Sequence, residues 1–252
     1  MTPIRRASRD SRIRPEQDRM TSEPGAITTG LEVPGAGRVT ALLLRPSNAN
    51  AALVLAHGAG AGMRHPFMEA LAERLASRSV ATLRYQFPYM ERGGGPPDAP
   101  AVLTATVRAA VAVGAERLKG LPLFAGGKSL GGRMTSTAAA TEALARVRGL
   151  VFFGFPLHPP GRPGISRTKH LDDVTTPMLF VQGTRDALAG LDLIRPLCQH
   201  LGPGAELHVI EGADHSFSVL KRSGRTNDVA LDELADVASV WMRRVAKGEG
   251  LP

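Results

Sequence analysis

Aromatic residues make up only 4% of the 252 residues. One tryptophan and two tyrosines leave the core to be built mainly from Leu, Val and Ala. Cysteine is scarcer still. Cys198 stands alone, which excludes an intramolecular disulfide and any cysteine-based metal cluster. No run reaches the roughly 18 apolar residues that a membrane-spanning helix needs. The N-terminal charges are not followed by an apolar stretch, so no secretory signal is read there. The expectation is a cytoplasmic protein with no membrane association, no metal and no cofactor.

Lysine is also rare, at 5 against 26 arginines. The net charge of +8 raises the question of a nucleic-acid partner. Its distribution answers against one. Arg5, Arg6, Arg9, Arg12, Arg14 and Arg19 gather in a polar leader with Asp10, Glu16 and Asp18, and no basic stripe interleaved with aromatics follows. Residues 1–25, closed by Pro24-Gly25, read as a disordered Arg-rich tail. Residues 26–252 read as one domain, since neither a repeat nor a long linker interrupts them. A hydrophobic fraction of 43% suits a packed globular core.

Strand and helix signals alternate through that domain. Strands are expected at 29–33, 37–45, 53–57, 80–85, 121–125, 149–153, 178–182 and 206–210. Helices are expected at 66–77, 99–118, 130–145, 187–201 and 228–246. The alternation implies an α/β fold with a mostly parallel sheet covered on both faces. In such sheets, chemistry collects in the loops after the strands.

The strand at 121–125 runs into Gly126-Gly-Lys-Ser-Leu-Gly-Gly-Arg133 and then a helix. Within it, Gly127-Lys128-Ser129-Leu130-Gly131 is a Gly-x-Ser-x-Gly pattern. A sharp strand-to-helix turn of this kind needs small residues two positions either side of the serine. It lifts the hydroxyl to a helix N-terminus, where developing negative charge is favoured. Lys128 invites a phosphate-loop reading, but the required earlier glycine falls on Pro122. Ser129 is therefore the expected nucleophile. It needs a base and an orienting acid. His215, in the loop Glu211-Gly-Ala-Asp-His-Ser-Phe217, is the base, and Asp186, directly after the strand at 178–182, is the acid. Asp214 is adjacent to His215 in sequence and badly placed to orient it. For the oxyanion, the expected backbone donors are Leu130 and Ala59. Ala59 lies in His57-Gly58-Ala59-Gly60-Ala61-Gly62, a loop that fails the dinucleotide fingerprint at Met63 and His65. His57 is read as holding that loop.

These motifs resemble the α/β-hydrolase superfamily over residues 37–246. His57-Gly-Ala-Gly, Arg84-Tyr-Gln-Phe-Pro-Tyr-Met90, Gly126-Gly-Lys-Ser-Leu-Gly-Gly-Arg133 and Phe155-Pro-Leu-His-Pro-Pro160 are similar to a dienelactone-hydrolase-like group. That group includes testis-expressed hydrolase-like proteins and a hydrolase-like subunit of a histone-acetylation complex. The resemblance implies the α/β-hydrolase fold and the Ser-His-Asp arrangement. Dienelactone hydrolases proper carry a cysteine where this chain has Ser129, so their substrate does not transfer.

The connection from 154 to 176 is too short for more than one small helix, so little or no cap domain is expected over the site. Tyr85, Phe87, Tyr89 and Met90 are expected to line one rim, and Leu157 and Phe217 the other. Arg84, Arg133 and Arg185 lie close in sequence to the site; attraction of an anionic substrate is one reading of them, and ordinary surface arginines the commoner one. The expected function is hydrolysis of a small carboxylic ester or thioester by a monomer or homodimer. The alternatives are a peptidase, amidase or acyltransferase on the same three residues, or a non-catalytic interaction module.

Overall fold

The structure is a computed structural model, and it describes residues 25–249. The expected Arg-rich tail therefore lies, but for Gly25, outside the described residues. Among the described residues, the hairpin β1 (Ala26–Val33) and β2 (Gly37–Leu44) comes first. There follow β3 (Ala51–Ala56), α1 (Pro66–Ser77), β4 (Val80–Tyr85), α2 (Pro88–Glu91) and α3 (Pro100–Arg117). The second half runs through β5 (Leu123–Lys128), α4 (Leu130–Thr141), β6 (Val147–Phe153), β7 (Met178–Gly183), α5 (Leu191–Leu201), β8 (Ala205–Ile210) and α6 (Asn227–Ala246).

The eight strands form one sheet in the order β1-β2-β4-β3-β5-β6-β7-β8. The pairings of β1 with β2 and of β2 with β4 are antiparallel, and all others are parallel. The central strands are apolar along their whole length because both faces are covered. In β3, Ala52, Val54 and Ala56 join a core with residues of α3, α4 and α5. Ala51, Leu53 and Leu55 point the other way, into a core shared with α1 and α6. Strands and helices contribute to both layers, and every parallel strand ends at the same edge of the sheet. That edge carries the site.

The departures from the sequence reading have local causes. Strand β5 continues past Ala125 to Lys128, although Gly126 and Gly127 carry no apolar signal. They are strand because space forbids anything larger: a Cβ on Gly126 would lie 1.9 Å from Val151 O. Helix α5 begins at Leu191 rather than 187, because Asp186 Oδ1 accepts from Leu188 N at 2.8 Å and holds a turn there. Helix α4 stops at Thr141, since Glu142 is extended. The one-turn α2 was not foreseen. Pro88 at its first position is the signal, as its fixed φ suits a helix start. Between β6 and β7 there is only a 3₁₀ turn at Lys169–Asp173, tied to α4 by His170 Nε2 and Ser136 Oγ at 2.7 Å. No cap domain is inserted there. Among the described residues, no helix is long and apolar enough to cross a membrane.

Candidate active site

The turn between β5 and α4 holds Ser129 at φ 50°, ψ −112°. A non-glycine residue in this region is strained and persists only when its surroundings fix it. The surroundings here are backbone. A Cβ on either Gly127 or Gly131 would lie 2.5 Å from Ala56 O. Both glycines are thus needed to let the turn close on the end of β3. Ser129 N donates to Phe153 O at 3.1 Å, which fastens the turn to β6 as well.

His215 comes from a tight loop after β8. Ala213 and Val219 pair across its base. Asp214 Oδ1 accepts from Ser216 N at 2.8 Å and Ser218 N at 3.0 Å. Asp214 therefore shapes the loop that presents His215, instead of orienting the ring. The ring itself bridges two partners. Its Nε2 lies 2.9 Å from Ser129 Oγ, and its Nδ1 lies 2.7 Å from Asp186 Oδ2. The Asp186 side chain is fully enclosed, and the imidazole is a quarter exposed.

Asp186 is held by two further donors. Leu188 N donates to Oδ1, and Gln182 Nε2 donates to Oδ2. Gln182 also accepts from Phe155 N at 3.0 Å through its Oε1. This residue was missed in the sequence. Its signal was a polar side chain ending the apolar run Met178–Val181, and such a residue is fully buried only when its amide is satisfied.

The glycine-rich loop after β3 is pinned from α2 and the segment before it. His57 Nε2 accepts from Phe87 N at 3.1 Å, and Nδ1 lies 2.8 Å from Gly58 O. The first contact requires a bare Nε2, so Nδ1 carries the proton and donates to Gly58 O. Gly60 N donates to Tyr89 Oη at 3.2 Å, and Met63 N donates to Gln86 Oε1 at 2.7 Å. Burial drives the His57 pKa down to about 4, with the Gly58 contact opposing the shift. The folded protein thus holds His57 neutral where the unfolded chain, at the ordinary value of 6.5, takes up a proton. Stability from this group is complete above pH 6.5 and falls as the pH drops toward 4, by about 3 kcal/mol in all. Thermal unfolding of the wild type between pH 7 and pH 4 is expected to show this loss, and His57→Gln to flatten it. Parallel curves for the two proteins would refute the assignment.

A pocket of about 240 Å³ opens beside the serine, lined by Ala59, Phe67, Lys128, Ser129, His215 and Ser216 among others. The expected rim is corrected here. Tyr85, Phe87 and Leu157 are enclosed in the core, as is Tyr89 except for its bond to the loop. Tyr85 is the last residue of β4, paired with Ala41 and Ala56, and Phe87, just before α2, and Tyr89, within it, pack into the same core. Phe217 is also buried, stacked on Phe67 with ring centres 5.8 Å apart. Only Met90 faces an opening, a shallower depression that shares Ala61 and His65 with the pocket. Arg84 is likewise no surface residue. It is fully buried, donates to Met63 O at 3.1 Å and helps hold the loop. Among the described residues, no group of three metal-ligating side chains converges.

Residues 49–243 match the family model of the alpha/beta hydrolase domain, and the chain belongs to that family. Solved structures of the same fold include a dienelactone hydrolase from Anabaena variabilis. It is 23% identical, with a TM-score of 0.69, covering 88% of this chain and 98% of its own. A serine hydrolase without lid from Xanthomonas campestris is 17% identical, with a TM-score of 0.66, covering 86% and 95%. Est1E from Butyrivibrio proteoclasticus, solved with ferulic acid bound, is 18% identical, with a TM-score of 0.66, covering 87% and 99%. At these identities the likeness is one of fold.

Proposed function

We propose that this chain is a serine hydrolase that cleaves small carboxylic esters or thioesters through an acyl-enzyme at Ser129. The observation that carries the reading is the unbroken chain from Ser129 Oγ through His215 to the enclosed Asp186 carboxylate. In this reading His215 Nε2 takes the hydroxyl proton as Oγ attacks the carbonyl carbon. Asp186 keeps Nδ1 protonated and stabilises the imidazolium. The proton then passes to the leaving alcohol or thiol. Water, deprotonated by the same nitrogen, releases the acid and restores Ser129.

The tetrahedral oxyanion needs two aimed N–H groups. Leu130 is the first residue of α4, so its N–H has no acceptor within the helix. In the facing loop, Gly60, Ala61 and Met63 spend their N–H groups on Tyr89, Gly58 and Gln86. Ala59 lines the pocket and spends its N–H on no acceptor among the described residues. Leu130 and Ala59 are the proposed donors. Gly58 lies against Ser129: a Cβ on it would come within 3.7 Å of the serine Cβ. The absence of a side chain there leaves the approach open.

A fluorophosphonate probe is expected to label Ser129 covalently in the wild type and to leave Ser129→Ala and His215→Ala unlabelled. A folded wild type that resists the probe would sink the proposal. The small pocket predicts that p-nitrophenyl acetate is hydrolysed and the palmitate ester is not; the reverse order would rule out a small-substrate site. Turnover of the matching anilide faster than the ester would move the reading to an amidase.

A further inference from the structure

Lys128 is the one lysine that the strand-to-helix turn places in the site, and nothing in the proposed chemistry uses it. It is 9% exposed, and it lines the pocket together with Ser129 and His215. Among the described residues it makes no hydrogen bond and no ion pair; its nearest company is aromatic. Its Nζ lies 5.5 Å from the ring centre of Phe217 and 6.0 Å from that of Phe67. These contacts partly offset the loss of water but fill none of the three N–H donors. Gly154 locates the ammonium more closely. A Cβ on that glycine would lie 3.0 Å from Lys128 Nζ and 3.5 Å from His215 Cε1. The ammonium and the His215 ring thus flank the same spot over Gly154, whose φ of 67° also favours glycine.

The charge balance of the pocket is one-sided. Its lining contains no carboxylate, and its only titratable members besides Lys128 are His65 and His215. Asp186 and Asp214 act on the ammonium through space from behind the wall, without reaching it. Enclosure lowers the lysine pKa to about 8, against the upward pull of those two carboxylates. The group is thus largely cationic at neutral pH, yet held at a cost that an incoming anion relieves.

From this geometry we infer that Lys128 is a specificity residue which pairs with a carboxylate on the substrate, so that the preferred substrates are short esters or thioesters bearing a free carboxylate near the scissile carbonyl. One ammonium balances one negative charge, which matches a carboxylate and leaves a phosphate dianion in excess. The pocket of about 240 Å³ suits a short acid, and the half-esters of small dicarboxylic acids fit both conditions. The arginines that sequence proximity brings to notice do not serve: Arg84 is buried under the loop, and Arg185 binds Gly212 O.

This inference rests on the hydrolase reading, and the test separates the two. The probes are mono-4-nitrophenyl glutarate and its methyl ester, identical but for the charge. The wild type is expected to favour the anionic probe by about tenfold or more in kcat/KM, the scale of one hydrogen bond to a charged group. Lys128→Met and Lys128→Gln are expected to bring that ratio to about one. The ratio is insensitive to a general loss of activity, so it reads recognition alone. A wild type that labels with fluorophosphonate and hydrolyses both probes equally overturns the role of Lys128 and leaves the hydrolase standing. A preference that survives both substitutions does the same. A wild type that neither labels nor turns over any ester overturns both. Should neither variant fold, the wild type decides by itself. Glutarate is expected to inhibit competitively at least tenfold better than glutaramide, and equal inhibition would overturn the proposal.

Discussion

Asp186→Asn is expected to lower kcat by about four orders of magnitude while the protein stays folded. The reason lies in the three donors that converge on this carboxylate: Leu188 N on Oδ1, and Gln182 Nε2 with His215 Nδ1 on Oδ2. An asparagine offers one acceptor oxygen and one NH₂ group. If the NH₂ takes the place of Oδ1, it meets the Leu188 N–H head-on. If it takes the place of Oδ2, it meets the Gln182 amide and the His215 Nδ1–H. The first arrangement keeps the Nδ1 bond but has lost the negative charge that stabilises the imidazolium; in the second, the His215 contact is relieved when the ring moves its Nδ1 proton to Nε2, while the Gln182 NH₂ stays opposed. That tautomer presents a donor to Ser129 and has no lone pair left for its proton. Ester turnover with circular dichroism as the folding control checks this. A loss below tenfold would show that Asp186 is a turn residue only. Gln182→Leu probes the same network from one step away. It leaves the Phe155 N–H without its acceptor as well as removing a donor from Asp186.

Gly126→Ala is expected to be the most damaging alanine substitution among the described glycines. Its Cβ would sit 1.9 Å from Val151 O and 2.8 Å from Val151 C. Both atoms belong to the backbone of β6, so no side chain can turn aside. Relief requires β5 and β6 to separate at the centre of the sheet, where the strands are held on both faces. Overpacking at a site with freedom to adjust costs about 1–3 kcal/mol. A backbone clash between central strands exceeds that range, which for a protein of ordinary marginal stability means loss of soluble folded material. Gly204→Ala is the control, because a Cβ there meets nothing within 4 Å. Chemical denaturation and soluble yield compare the two. Equal stability of both variants would show that the sheet yields more easily than its geometry states.

The sequence carried the sheet with few errors, and it pointed to three side chains that the structure brings together, Ser129, Asp186 and His215, for a physical reason. Central parallel strands are apolar along their length, and the strand-to-helix turn at Ser129 needs its glycines; both leave marks within a few residues. Among the element ends that departed, those expected at 125 and 145 meet partners distant in the chain, Val151 and Arg108, and the one expected at 187 meets a side-chain cap. Aromatic residues were the weakest guide. Tyr85, Phe87 and Tyr89 read as a rim, yet Tyr85 is the last residue of β4 and points into the core, and α2 holds Phe87 and Tyr89 there as well. Gln182 escaped notice because a single polar residue at the end of a strand has no spacing to betray it. Lys128 drew attention only through a phosphate-loop pattern that the sequence does not complete. The failure of that motif hid the fact that the same position faces the pocket.

The three bonds that pin the glycine loop have a consequence, under the proposed hydrolase function, for how this site would meet its substrates. His57 to Phe87, Gly60 to Tyr89 and Met63 to Gln86 fix the loop before anything binds. A mould already set adds little rearrangement to the barrier, so catalysis through it should vary little with the identity of a well-seated substrate and fall sharply for an ill-fitting one. Selection among substrates then happens at seating. A change of diet would come more readily from new side chains around the opening than from any loosening of the mould.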